Sequence, residues 1–200
     1  MKKKILIIFA FPEKSGLAET LAEYYVRGVK ESGKGEVSLI NLSEIEFDPI
    51  LWGGYNTSEP LEKSLREAQK EIKKADHLTF FYPLWWSDMP ALLKGFLEKV
   101  LLPGFAFRFE SEGGIKKLLT GKNARLVVTM HSSPEEYMQM TDGASDKIFS
   151  EGILNFCGIK TTGVNHIGPV YKANEQQKNN WFELMKTAGK NDSESDGDNL

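Results

Sequence analysis

The stretch from His77 to Val100 constrains the fold more than any other part of the chain. It opens on His77-Leu78-Thr79-Phe80-Phe81-Tyr82, a run apolar and aromatic enough to be buried on both faces of a sheet. Pro83 cannot donate to a sheet ladder and is expected to end the strand. Pro90 suits the first turn of a helix, where a missing N–H costs nothing. Beyond it Leu92/Leu93, Phe96/Leu97 and Val100/Leu101 recur four apart and draw an apolar stripe along one helix face. Two adjacent tryptophans, Trp85 and Trp86, stand between strand and helix. Loops at the carboxyl ends of parallel strands are where open α/β sheets bind ligands, and a planar aromatic ligand suits this one. The alternative is a buried aromatic turn stacked on its own helix.

Strand and helix signals alternate along the rest of the chain. Strands are predicted at 3–9, 37–42, 124–130 and 160–167, and helices at 17–31, 59–75, 145–156 and 174–188. Residues 43–60 form a long irregular link containing Phe47, Trp52 and Tyr55, and links of that length are usually functional. Phe105, Phe107 and Phe109 alternate, which predicts a short β segment with all three rings on one side. Right-handed crossovers then give an α/β three-layer sandwich, a five-stranded parallel sheet in the order 2-1-3-4-5, as a single domain over residues 1–189. Residues 190–200 are acidic, with no large apolar group before Leu200, and are predicted to form a disordered tail. In this strand order the ligand crevice lies among the loops at 11–15, 83–86 and 131–137. Ser15 occupies an N-cap position there, at a helix start of the kind on which phosphates rest. The turn carries neither a P-loop nor a G-x-G-x-x-G fingerprint.

Composition excludes several classes. A formal charge of -3 argues against a nucleic-acid-binding surface. No apolar run approaches the ~18 residues of a membrane span and no signal-peptide pattern is present, so a cytoplasmic chain is expected. The single Cys157 cannot form an intrachain disulfide, and its apolar neighbours predict a buried, unreactive thiol. No metal site is expected.

Three segments carry a resemblance. Phe81-Tyr82-Pro83-Leu84-Trp85-Trp86, Met89-Pro90-Ala91-Leu92-Leu93-Lys94-Gly95-Phe96-Leu97-Glu98-Lys99-Val100 and Gly104-Phe105-Ala106-Phe107 together resemble the flavodoxin-like NAD(P)H:quinone reductases. That family includes DT-diaphorase, the modulator of drug activity B proteins and the ancillary oxidoreductases of potassium efflux systems. The block from Gly152 to Gly158 is similar to a second family segment and Asp48-Pro49 to a third, so the resemblance covers about residues 3 to 188. It implies a noncovalent flavin and two-electron, ping-pong reduction of quinones or similar acceptors by NAD(P)H. FMN is favoured, with FAD as the alternative, because Lys14 and Ser15 provide for one terminal phosphate.

The resemblance also implies a site. Phe11, Lys14, Ser15, Leu17 and Ala18 match the family's phosphate-side loop. Pro83, Leu84, Trp85 and Trp86 match the loop lining the isoalloxazine ring, and Thr129, Met130, His131 and Ser132 the loop at its polar edge. Tyr137 matches the active-site tyrosine. Phe107 and Phe109 match aromatic positions that close the substrate pocket across a dimer interface, and a homodimer is expected. DT-diaphorase-like members have His and Asn where this chain has Phe11 and Ala18, and two glycines where it has His131 and Ser132. Their active-site histidine falls at Gly143, which has no side chain to relay a proton. Tyr137 and His131 are therefore expected to assist acceptor reduction, with the N–H groups of Trp85 and Trp86 stabilising charge on the reduced ring. The rival reading is a flavin-binding regulatory subunit in peripheral contact with a membrane transporter, such as a potassium efflux system.

Overall fold

The computed structural model describes residues 1–56 and 60–195. Its strands are β1 (Lys3–Phe9), β2 (Gly35–Asn41), β3 (His77–Pro83), β4 (Phe107–Phe109), β5 (Ile115–Lys117), β6 (Lys122–Thr129) and β7 (Ile159–Ile167). Five of them pair in parallel in the order β2-β1-β3-β6-β7, which is the expected 2-1-3-4-5 arrangement. The helices are α1 (Gly16–Ser32), α2 (Lys63–Lys74), α3 (Ala91–Val100), α4 (Pro134–Thr141), α5 (Ala144–Lys147) and α6 (Glu175–Glu194). No helix among the described residues is long and apolar enough to cross a membrane.

Every residue of β3 is buried, because helices cover both faces of the sheet. The period of two divides the core. Leu6, Ile8, Leu78, Phe80, Tyr82, Leu126 and Val128 face α2, α3 and the segment after α5, while Ile5, Ile7, Phe9, Phe81, Val127 and Ile167 face α1 and α6. Close helix contacts need glycine, as two of them show. A Cβ on Gly28 of α1 would stand 1.9 Å from the Lys186 carbonyl oxygen of α6. A Cβ on Gly95 of α3 would stand 2.2 Å from the Pro49 carbonyl oxygen, so α3 packs closely on the Asp48-Pro49 segment.

Several expectations are corrected. The acidic end does not become disordered at residue 190: α6 runs on to Glu194, because Asp192 is drawn into the interior by Arg125, whose Nε and Nη2 donate to it at 2.6 and 2.7 Å. Residues 196–200 of that expected tail lie outside the described residues. The helix expected at 145–156 is α-helical only through α5 and continues as a π-helix over Ile148–Asn155. A missed helix, α4, has a Ser133–Glu136 capping box with proline in its first turn. The helix expected from residue 59 starts at Lys63, beyond Pro60. Finally, Phe105, Phe107 and Phe109 do not form one row. Phe105 lies in a turn where Phe105 and Ala106 both bond back to the Leu102 carbonyl, and β4 pairs with β5 as an antiparallel hairpin.

Candidate active site

The parallel register ends β1, β3 and β6 side by side, with Phe9 opposite Phe81 and Pro83 opposite Thr129. Backbone bonds then knit the emerging loops together: Ala10 N–H to Phe81 O at 2.8 Å, Leu84 N–H to Thr129 O at 2.7 Å, and Met130 N–H to Ile167 O at 2.9 Å. The loops expected to share a crevice are thus brought to one edge.

On the β1 side, Ser15 is the N-cap of α1 but makes no side-chain cap bond. Ser15 is half-buried beside the exposed Lys14. Leu17 is half-buried. Phe11 and Ala18 belong to the core, with the Phe11 ring 4.8 Å from that of Phe9. Their side chains pack in the core and fasten the loop.

The β3 loop is a tight turn. Trp85 and Asp88 exchange both backbone bonds, at 2.8 and 3.0 Å, around Trp86 and Ser87 at φ of +52° and +60°. A bulky residue rarely adopts such a φ, and strain of this kind clusters where ligands bind. Trp86 is fully exposed and Trp85 partly so, which rules out the buried aromatic turn. Leu84 packs against the core below them. The N–H of Trp85 is consumed by Asp88, so it cannot stabilise charge on a ligand as expected.

On the β6 side, Thr129 and Met130 are buried, and both backbone polar groups of Met130 are engaged, by Ile167 and Val170. His131 is exposed and stacks on Tyr171 at 5.4 Å, and Ser132 is half-buried. Tyr137 lies in α4 rather than in a loop, almost wholly buried, and its hydroxyl has no partner.

Sequence reasoning missed two residues at this edge. The penultimate residue of β7, His166, holds Asp146 of α5 through an Nε2–Oδ2 contact of 2.9 Å, and its ring meets the Tyr137 ring edge-on at 5.3 Å. The Tyr82 hydroxyl and Asp146 Oδ1 are also buried without partners. Burial first, and then the Asp146 charge, push the Tyr82 phenol well above its ordinary pKa, and the same causes raise that of Tyr137. The available signal was a histidine at the carboxyl end of a predicted strand. Ser145 Oγ donates to Asp88 Oδ1 at 3.0 Å, tying this cluster to the tryptophan turn.

Phe107 and Phe109 lie elsewhere. They line a groove of about 380 Å³ with Tyr55, Leu97, Ile153 and Phe156, and none of the three edge loops contributes to it. Cys157 also lines it, buried, its thiol pushed up to about 11 by burial.

Comparison with known proteins agrees with this geometry. A family model described as flavodoxin-like fold matches residues 3–185. An NAD(P)H dehydrogenase [quinone] 1 of Cavia porcellus is 30% identical over 197 residues, covering 84% of this chain and 71% of its own. An uncharacterised NAD(P)H oxidoreductase of Haemophilus influenzae is 28% identical over 196 residues, covering 92% and 94%. The solved structure of an NAD(P)H:quinone oxidoreductase from Methanothermobacter marburgensis shares the fold with a TM-score of 0.81 at 23% identity, covering 96% of this chain and 99% of that one. The chain belongs to the flavodoxin-like NAD(P)H:quinone oxidoreductase family.

Proposed function

We propose that this chain is a flavin-dependent NAD(P)H:quinone oxidoreductase whose FMN lies across the carboxyl edge of the sheet. The observation that carries the reading is the amino end of α1. Ser15 leaves its hydroxyl unspent, the first-turn N–H groups have no side-chain cap, and Lys14 adds a cation, a donor set that suits the single phosphate of FMN. Leu84, Trp85 and Trp86 offer the apolar, stacking surface that a flat ring needs, and His131 and Ser132 offer polar groups near its rim. When bound, the flavin supplies hydride chemistry that no side chain can. The protein's part is to hold acceptor and cofactor in a water-poor slot and to handle protons.

A second copy of the chain completes that slot. Tyr55 and Phe109, which line the apolar groove, are 63% and 70% exposed, and Trp52 on the same link as Tyr55 is 73% exposed, more than a lone chain usually shows to water. Pairing through this face brings Phe107 and Phe109 of one chain towards the edge loops of the other. The cytoplasm, where a lone thiol stays reduced, suits this chemistry. No observation favours the transporter-subunit alternative.

Titration of FMN into the flavin-free protein tests the reading. Flavin fluorescence should be quenched at micromolar protein. Ser15→Ala should weaken binding by about tenfold, the worth of one hydrogen bond to a charged group, while stability stays within about 0.5 kcal/mol because no cap bond is lost. Unquenched fluorescence at every concentration would overturn it.

A further inference from the structure

Four elements bring polar side chains together beneath the carboxyl edge: Tyr82 from β3, Tyr137 from α4, Asp146 from α5 and His166 from β7. Three of the oxygens there, Tyr82 Oη, Tyr137 Oη and Asp146 Oδ1, are buried and unpartnered. Leaving one such group unsatisfied costs about 1–3 kcal/mol, so three in one place need a reason. The one hydrogen bond among the four side chains is His166 Nε2 to Asp146 Oδ2, and this pair alone reaches solvent, with side chains 17% and 16% exposed. Asp146 therefore fixes the imidazole by one nitrogen. Nδ1 is engaged by no other group among the described residues.

We propose that His166 is the proton donor to the acceptor, positioned by Asp146 and by the Tyr137 ring packed against it. The proposal rests on the quinone reductase reading. Reduction of a quinone by NAD(P)H needs one proton beyond the hydride: quinone, NAD(P)H and H⁺ give hydroquinone and NAD(P)⁺. The protonated His166 supplies it. The Nδ1–H bond breaks, its electron pair staying on nitrogen, as an O–H bond forms from an electron pair on the oxygen of the quinone that the hydride has reduced. Neutral imidazole is left, still donating from Nε2 to Asp146, and it regains its proton from water. Asp146 is a positioning residue, and so is Tyr137, whose hydroxyl is turned away from solvent. The groups that set the charge around His166 are Asp146, Tyr137 and Tyr82, with Asp88 one hydrogen bond further through Ser145. Gly143, where the family resemblance would put a histidine, takes φ +66°, which a side chain would strain.

The test compares a quinone with ferricyanide, which takes single electrons and no proton. His166→Gln should lower quinone turnover by about a hundredfold with little change in KM, the usual worth of a general acid, while ferricyanide reduction stays within about twofold. A second readout needs no turnover: in oxidised holoprotein, the infrared carbonyl stretch of bound quinone should lie at lower frequency in wild type than in His166→Gln. If His166→Gln cannot be purified, Asp146→Asn should give the same split between acceptors. Unchanged quinone turnover, or quinone and ferricyanide rates falling together with no infrared difference, would overturn the proposal. A wild type that reduces neither acceptor would instead remove the quinone reductase reading, and this proposal with it.

Discussion

Asp192, near the end of α6, is clamped by Arg125 of β6 through two hydrogen bonds, Nε to Oδ2 at 2.6 Å and Nη2 to Oδ1 at 2.7 Å. Tyr25 Oη donates to the same carboxylate at 2.8 Å and His77 Nε2 lies 3.2 Å away, all of it under the helix layer. Burial pushes the Asp192 carboxyl up, but the two hydrogen bonds and the charge of Arg125, with His77 close by, outweigh it and hold the group well below the ordinary carboxylate range. Breaking such a buried pair costs about 3–5 kcal/mol, so Asp192→Ala should lose that much in chemical denaturation at pH 7. Because the folded pKa lies below the unfolded value of 3.8, the stabilisation is complete above that value and declines as pH falls through and below it. The gap between wild type and variant should narrow from pH 5 towards pH 2. A chain cut after Gly189 should be as unstable as the variant.

Trp86 at φ +52° is a strained place for an indole. If the strain serves a ligand, Trp86→Gly should stabilise the flavin-free protein by about 1 kcal/mol, since a two-residue turn with both φ positive favours glycine. It should also weaken FMN binding by about three- to tenfold, the loss of one stacking contact. Thermal melts and flavin titration of the same preparation check both. A variant that is less stable and binds flavin equally well would mean that the ring only packs the turn.

Tyr137 is a more surprising case. Its hydroxyl is buried and unpartnered, so it is poorly placed to bond an acceptor oxygen. Tyr137→Phe should leave quinone turnover within about threefold and raise stability by about 1 kcal/mol, the desolvation cost recovered. Steady-state kinetics and unfolding curves decide it, and a loss near a hundredfold would return the tyrosine to the acceptor.

These two residues show how far the sequence could be read. The strands, their order and the three edge loops were legible because each strand is a distinct apolar run between turn residues. The direction in which Tyr137 points was not, because the Ser133 capping box turns the expected loop into a helix and rotates the ring inward. The His166–Asp146 contact joins residues 20 apart on a strand and a helix, and only the packing of β7 against α5 brings them together. Likewise the acidic composition of residues 190–195 argued for disorder, and a single arginine that holds the buried Asp192 overrides it.

Phe109 tests the pairing of chains. At 70% exposed it contributes little to the fold of one chain, so Phe109→Glu should leave the melting temperature within a few degrees. If the groove is the interface, sedimentation should show the mass falling from two chains to one, with a raised KM for quinone. Wild-type protein sedimenting near the 22.5 kDa of one chain at all concentrations would refute the dimer.

The most direct measurement of the central claim separates the two halves of turnover in one cuvette. Protein loaded with one equivalent of FMN is mixed anaerobically with NAD(P)H, then with a quinone, and the flavin's visible band is followed. The account predicts that NAD(P)H bleaches the band and that an equivalent of quinone restores it, with hydroquinone formed in equal amount. A band that NAD(P)H leaves unchanged, or that bleaches but does not recover with quinone, would contradict it.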